Sequence, residues 1–100
     1  MPFISAVVED EKGKPLGLAI TFSQWILPRR DDVRFACLRF VDPYGDTVFN
    51  CLQFPVLLEE LQLLLGETVD SEHRASIEGI EKLVKQCQSE PGLYLRLSGD

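Results

Sequence analysis

The chain has 100 residues, of which 45% are apolar and 26% charged, and its 16 acidic against 10 basic side chains give a formal net charge of −6. This length predicts one domain over residues 1–100, and the composition excludes a disordered or membrane-embedded chain. The negative charge repels a phosphate backbone, so nucleic-acid binding is disfavoured and a basic protein partner is favoured.

The chain opens with a predicted β-hairpin. Residues 3–10 are rich in β-forming side chains and lead into a polar segment, 11–15, that contains both Gly and Pro. In the second strand, residues 16–22, large apolar residues alternate with small or polar ones: Leu16, Leu18, Ile20 and Phe22. One face of this strand is therefore expected to pack against the core.

Residues 23–32 are predicted to form a loop, in which Trp25 anchors to the core and Arg29-Arg30 begin a solvated charge run. Residues 33–41 then carry apolar side chains at both odd and even positions, a pattern typical of a central strand. The composition of residues 42–46 predicts a tight turn, and residues 47–52 are predicted to form the returning fourth strand.

A leucine-rich helix is predicted from Pro55, which suits a first helical turn, to Gly66, which is expected to end the helix. Its core-facing stripe contains five leucines: Leu57, Leu58, Leu61, Leu64 and Leu65. Val56 and Leu63 project onto the opposite side, flanked by Glu59 and Glu60. Either neighbouring side chains and the entering loop cover these two residues, or they form part of a patch that meets another chain.

A second helix is predicted to begin at a cap on Asp70 or Ser71 and to end before Pro91-Gly92. Its apolar stripe consists of Ile77, Ile80, Leu83, Val84 and Cys87. Its polar side consists of Arg74, Glu78, Glu81, Lys82 and Lys85, and Gly79 also falls on that side. Alternation over residues 93–98 predicts a last half-buried strand. The order ββββααβ predicts an α+β domain, a mainly antiparallel sheet of four to five strands with a two-helix hairpin on one face.

The sequence contains no recognisable catalytic constellation. His73 is the one histidine, and it projects near the apolar stripe of the second helix, which favours packing over general-base chemistry. Asp42 and Asp46 bracket a turn without the spacing of a calcium loop. No glycine-rich phosphate loop is present either, so neither a metal nor a cofactor is predicted.

The three cysteines are separated widely and do not form a C-x-x-C motif. Cys37, Cys51 and Cys87 each have apolar neighbours, so we interpret them as buried, reduced thiols. A cytoplasmic protein is predicted from three features of the sequence: reduced thiols, a start without a basic leader region, and the absence of a long apolar run.

The second half of the chain resembles a group of small uncharacterised bacterial proteins. The similar residues are Asp46-Thr47-Val48-Phe49-Asn50, Leu52-Gln53, Glu60-Leu61, Leu93-Tyr94-Leu95 and Gly99-Asp100. The resemblance implies no activity or cofactor, but it suggests that Asp46, Asn50 and Gln53 act together. Three polar residues at an apolar strand-to-helix junction must be hydrogen-bonded or presented to something else.

Two functional hypotheses follow. The first is a non-catalytic interaction protein, immunity-like or accessory, that binds a protein partner or a second copy through Val56, Leu63, Glu59 and Glu60. The alternative is a small-molecule-binding or enzymatic domain with a polar site near the strand-to-helix junction, formed by Trp25, Tyr44, Asp46, Asn50 and Gln53.

Overall fold

The computed structural model describes residues 3–99. Three residues that the sequence analysis used lie outside that range. Met1 and Pro2 belong to the start of the chain, from which the compartment was predicted, and Asp100 belongs to the resemblance. The elements, in chain order, are β1 (Phe3–Glu9), β2 (Pro15–Ser23), β3 (Asp46–Phe49), α1 (Phe54–Glu67), α2 (Ser71–Gln88) and β4 (Tyr94–Ser98). Two short 3-10 turns, Gln24–Ile26 and Leu38–Phe40, lie between β2 and β3.

The four strands form an antiparallel sheet in the order β2-β1-β4-β3. The two helices pack beside each other, and α2 lies against β2, β1 and β4. The α+β prediction is therefore confirmed, and the predicted last strand pairs with both β1 and β3. The interior positions belong to β1 and β4, the strands that carry the buried alternating residues Ile4, Ala6, Val8, Leu95 and Leu97.

The predicted central strand over residues 33–41 is wrong, because this segment consists of turns and the 3-10 turn Leu38–Phe40. Asp32 begins the irregular path, since its Oδ1 accepts the backbone N–H of Arg34 over 3.1 Å. Four apolar residues of the segment still reach the core, but they do not alternate as in a strand. Phe35, Cys37, Leu38 and Val41 are buried. Arg34 and Arg39, interpreted from sequence as strand residues, are therefore loop residues.

The second strand departs from its predicted alternation at Leu18. Ile20 pairs with Ala6 and Leu16 pairs with Val8, so three residues of β2 lie opposite one residue of β1. Gly17, the first of these three residues, has φ +87°, a conformation that residues with a side chain rarely adopt. The bulge turns Leu18 outward, and its side chain is 90% exposed.

Helix α1 follows the predicted leucine stripe, with Leu57, Leu61 and Leu64 buried. It continues one residue past Gly66 and ends where the Thr68 hydroxyl donates to the carbonyl of Leu64 over 2.7 Å. Arg74 of α2 donates to the carbonyls of Leu65 and Thr68, at 2.6 and 3.0 Å. Its guanidinium therefore binds carbonyls at the end of α1 and joins the two helices.

Asp70, one of the two predicted caps, precedes helix α2, and its Oδ1 accepts the backbone N–H of His73 over 2.9 Å. Two residues assigned to its polar side lie inward instead. Glu81 is buried and accepts a hydrogen bond from Nε2 of Gln62 on α1. Gly79 lies against β2, where an added Cβ would be 2.9 Å from Cδ1 of Ile20.

Candidate functional site

The outer face of α1 carries the two apolar residues that lie off the leucine stripe. Val56 is 42% exposed and Leu63 is 38% exposed, so neighbouring side chains cover them only in part. Together with Ala36 and Arg34 they line an open cavity of about 210 Å³ between α1 and the segment 33–41. We call this surface, formed by Arg34, Ala36, Val56, Glu59 and Leu63, the α1 patch.

Glu60 does not lie on the exposed side of α1, contrary to the prediction from sequence. Its side chain is buried at 4% exposure, and Oε1 accepts the backbone N–H groups of Cys37 and Leu38 at 3.1 and 2.9 Å. Oε2 accepts the N–H of Cys37 over 3.0 Å. The carboxylate thus occupies the N-terminus of the 3-10 turn and forms the floor under the α1 patch rather than part of its surface.

Carboxylates outnumber cations around the α1 patch. Arg34 is held by Asp32 at 2.8 Å and by Glu67, at the end of α1, at 2.6 Å, while Glu59 is exposed beside Val56. The hydrogen bonds from Arg34 lower the pKa of Asp32, so this carboxylate stays charged to a lower pH than an isolated Asp. Three carboxylates against one guanidinium give the rim of the patch a negative character.

The side chains of Asn50 and Gln53 at the strand-to-helix junction are hydrogen-bonded to the backbone of their own turn. Asn50 accepts the N–H of Leu52 on Oδ1 at 3.0 Å, and Oε1 of Gln53 accepts the N–H of Asn50 at 2.9 Å. The backbone N–H of Gln53 returns to the carbonyl of Asn50 at 3.0 Å. These bonds build the turn that feeds α1, which is a structural use of both side chains.

The other residues of the predicted polar site lie apart from that turn. Asp46 begins β3 and pairs with Nη1 of Arg96 at 2.9 Å, and Nε of Arg96 pairs with Glu9 at 2.8 Å, so one arginine links β1, β4 and β3. Tyr44 is exposed in the turn before β3. Trp25 is exposed at the 3-10 turn after β2 and does not anchor the loop to the core as expected.

Trp25 lines a cavity of about 310 Å³ that the sequence did not predict. Three arginines, Arg29, Arg30 and Arg39, share its wall, and the remaining wall is mostly apolar. Sequence reasoning placed Arg39 on a strand and assigned Arg29 and Arg30 to a solvated run. Nine residues separate Arg30 from Arg39, and only the turns of the segment 33–41 bring them together.

His73 and the three cysteines do not form a catalytic group. The backbone N–H of His73 binds Asp70, and its imidazole has no hydrogen-bond partner among residues 3–99. Cys37 and Cys87 are buried as predicted, whereas Cys51 is exposed, because it lies in the turn between β3 and α1. Burial raises the pKa of Cys87 to about 11, and burial, with the charge of Glu60, raises that of Cys37.

Within residues 3–99, no three His, Cys, Asp or Glu side chains are grouped closely enough to hold a metal ion. None of the helices in this part of the chain combines the length and the apolar character that crossing a bilayer requires. Comparison of the chain with models of protein families, with curated proteins and with solved structures finds no match.

Proposed function

We propose that this protein is a non-catalytic interaction domain, immunity-like or accessory, that binds a basic protein partner through the α1 patch. The observation that carries the proposal is the partial exposure of Val56 and Leu63 on the outer face of a helix whose other face forms the core. Apolar side chains that remain accessible beside a shallow depression, with a charged rim, are a common arrangement in protein interfaces.

The charge of the rim supports a basic partner over a second copy of the chain. Glu59 lines the α1 patch, Asp32 and Glu67 both pair with Arg34 at its edge, and Arg34 offsets one of these three charges. Two copies of a chain with a net charge of −6 also repel each other. A partner with an apolar side chain flanked by Lys or Arg matches the patch in both shape and charge.

The alternative, a small-molecule or enzymatic site at the strand-to-helix junction, has less support. Asn50 and Gln53 are hydrogen-bonded within their own turn, and Asp46 is paired with Arg96. A ligand that used these bonded oxygens would have to displace their present partners, which costs free energy.

The experiment compares the wild-type protein with Val56→Asp/Leu63→Asp and with a singly substituted control, Val69→Asp. Val69 is 94% exposed in the link between α1 and α2 and does not line the α1 patch. Each tagged protein is isolated from the native host at low salt, and its mass is measured by light scattering over a range of concentrations. We expect a basic partner that is retained by the control and lost by the double variant.

Two results contradict the proposal. In one, the wild-type protein is isolated alone and is monomeric at every concentration. In the other, the patch variant and the Val69 control retain the same partner equally. A dimer of the chain that dissociates only in the patch variant would replace the basic partner with a second copy.

A further inference from the structure

The cavity beside Trp25 lies between the 3-10 turn that follows β2 and the turn that precedes β3, apart from the α1 patch. Its volume is about 310 Å³, at the lower end of the range for small-molecule sites. Leu27, Pro28, Val41 and Pro43 contribute apolar wall, and no carboxylate lines it. In a chain with 16 acidic side chains, a cavity with three arginines and no acid is unexpected.

Two of these arginines have no carboxylate partner among residues 3–99. Arg34, Arg96 and Arg29 each pair with at least one acid, but no ion pair involves Arg30 or Arg39. The Nε of Arg39 is buried and makes no hydrogen bond within the described chain. A desolvated guanidinium donor without an acceptor is unfavourable, so an anion that contacts the remaining N–H groups of Arg39 in the cavity, and offsets its charge, is favoured.

The surroundings hold the Arg39 guanidinium in place without neutralising it. Its central carbon lies 4.5 Å from the centre of the Phe40 ring, and Nη1 donates to the carbonyl of Arg30 at 3.4 Å. Asp42 lines a neighbouring cavity with Arg30 and Arg39, but Oδ1 of Asp42 accepts the backbone N–H of Tyr44 and forms no ion pair with either arginine. The positive charge therefore stays available to a ligand.

We propose that this cavity binds a small organic anion, with Arg30 and Arg39 contacting a phosphate or carboxylate group and Trp25 covering a flat apolar body. Guanidinium groups bind both kinds of oxyanion through paired hydrogen bonds, which are strengthened by charge. An exposed indole beside apolar side chains provides the surface on which a flat ring can stack. The site is separate from the α1 patch, so either proposal can fail without the other.

Trp25 is the only tryptophan of the chain, so its fluorescence and its indole N–H resonance report on this cavity directly. Phenyl phosphate and benzoate are titrated separately into the full-length protein in a buffer free of phosphate and sulfate. We expect a saturable change at Trp25 that weakens with added salt. The tighter of the two probes identifies the preferred anion, and a preference for either supports the proposal.

The arginines are tested by Arg30→Gln and Arg39→Gln, with Lys85→Gln as the control. Lys85 is exposed on α2 and does not line the cavity, so this control removes the same charge elsewhere. We expect each arginine variant to bind the preferred probe about tenfold more weakly or worse, and the lysine variant to bind it within about twofold of the wild type.

Circular dichroism checks the fold of each variant. The Arg39 side chain is half-buried and that of Arg30 is exposed. If the Arg39→Gln variant does not fold, the binding measured for the Arg30→Gln variant tests the proposal. The proposal is overturned if neither probe binds, if Lys85→Gln weakens binding as much as Arg30→Gln, or if inorganic phosphate binds as tightly as phenyl phosphate.

Discussion

Leu38 donates its backbone N–H to Oε1 of Glu60 over 2.9 Å, and this bond ties the irregular segment 33–41 to the middle of α1. The same carboxylate accepts the N–H of Cys37 on both oxygens. Consecutive N–H groups of a strand point to opposite sides, whereas here both donate to one carboxylate of α1. Glu60 is therefore the buried tie between the segment and α1, beside the exposed ion pair of Arg34 with Glu67.

Glu60→Ala is expected to destabilise the protein by about 2–4 kcal/mol, since it leaves two buried N–H groups without an acceptor. Glu60→Gln should cost less, about 1–2 kcal/mol, because one oxygen remains while the new NH₂ group faces the N–H of Cys37. Urea unfolding measures both values.

Glu59→Ala is the matched control, because the neighbouring Glu59 side chain is exposed on the same helix. It is expected to change the free energy of unfolding by less than about 0.5 kcal/mol. Equal effects at positions 59 and 60 would contradict the assigned role of Glu60.

The sequence predicted the layers of the fold better than its irregular parts, for a physical reason. Helix and strand periodicities reveal which face of an element is buried, and this was enough for α1, α2 and the last strand. The segment 33–41 is apolar because it covers the core, but its path depends on Glu60, which comes more than 20 residues later. The residue pattern within the segment therefore could not predict its hydrogen bonds to Glu60.

The candidate sites show the same difference between residues on regular elements, which could be predicted, and residues brought together by turns, which could not. Val56 and Leu63 were found from helix geometry alone, because both lie on one regular element. The arginines around the Trp25 cavity come from two separate turns, and no periodicity joins residues 25, 30 and 39. Likewise, the side chains of Asn50 and Gln53 accept the backbone N–H groups of Leu52 and Asn50, and the amino-acid pattern did not identify these partners.

Cys51 is expected to be the one thiol that reacts rapidly in the native protein. Cys37 and Cys87 are buried with raised pKa values, so both access and the thiolate fraction are reduced there. Titration with a chromogenic disulfide reagent should count one thiol in native buffer and three in denaturant, and Cys51→Ser should abolish the rapid native reaction. Two rapid native thiols would mean that the segment around Cys37 opens readily.

The two glycines within the helices are expected to respond differently to alanine. Nothing lies within 4 Å of a Cβ added at Gly66, so Gly66→Ala should stabilise the protein by about 0.5–1 kcal/mol through helix propensity. Gly79→Ala gains the same propensity but places its Cβ 2.9 Å from Cδ1 of Ile20. Its net effect should therefore be smaller or unfavourable.

Ile20→Val removes the contacting Cδ1 and provides the control for Gly79→Ala. In a double-mutant cycle measured by thermal unfolding, the pair should show a favourable coupling of about 0.5–1 kcal/mol. The same Ile20→Val change combined with Gly66→Ala should be additive, since Gly66 is on the other helix. Additivity in both cycles would show that Gly79 and Ile20 do not restrict each other.

Asp70 is expected to contribute to the acid dependence of stability. The hydrogen bond from the backbone N–H of His73 lowers the pKa of Asp70 below its ordinary value of 3.8. Because the folded-state pKa lies below the unfolded one, the stabilisation is fully present above the unfolded pKa. It is lost as the pH falls through the folded pKa.

Asp70→Asn tests this, because Asn is also a favourable N-cap but does not titrate. Urea unfolding of the wild type and of this variant, from about pH 6 to about pH 2, should give curves that converge as the pH falls. Asp10 and Asp32 also have lowered pKa values, but they are present in both proteins and cancel in the difference. Curves that stay parallel down to the lowest pH would show that the Asp70 cap does not depend on its charge.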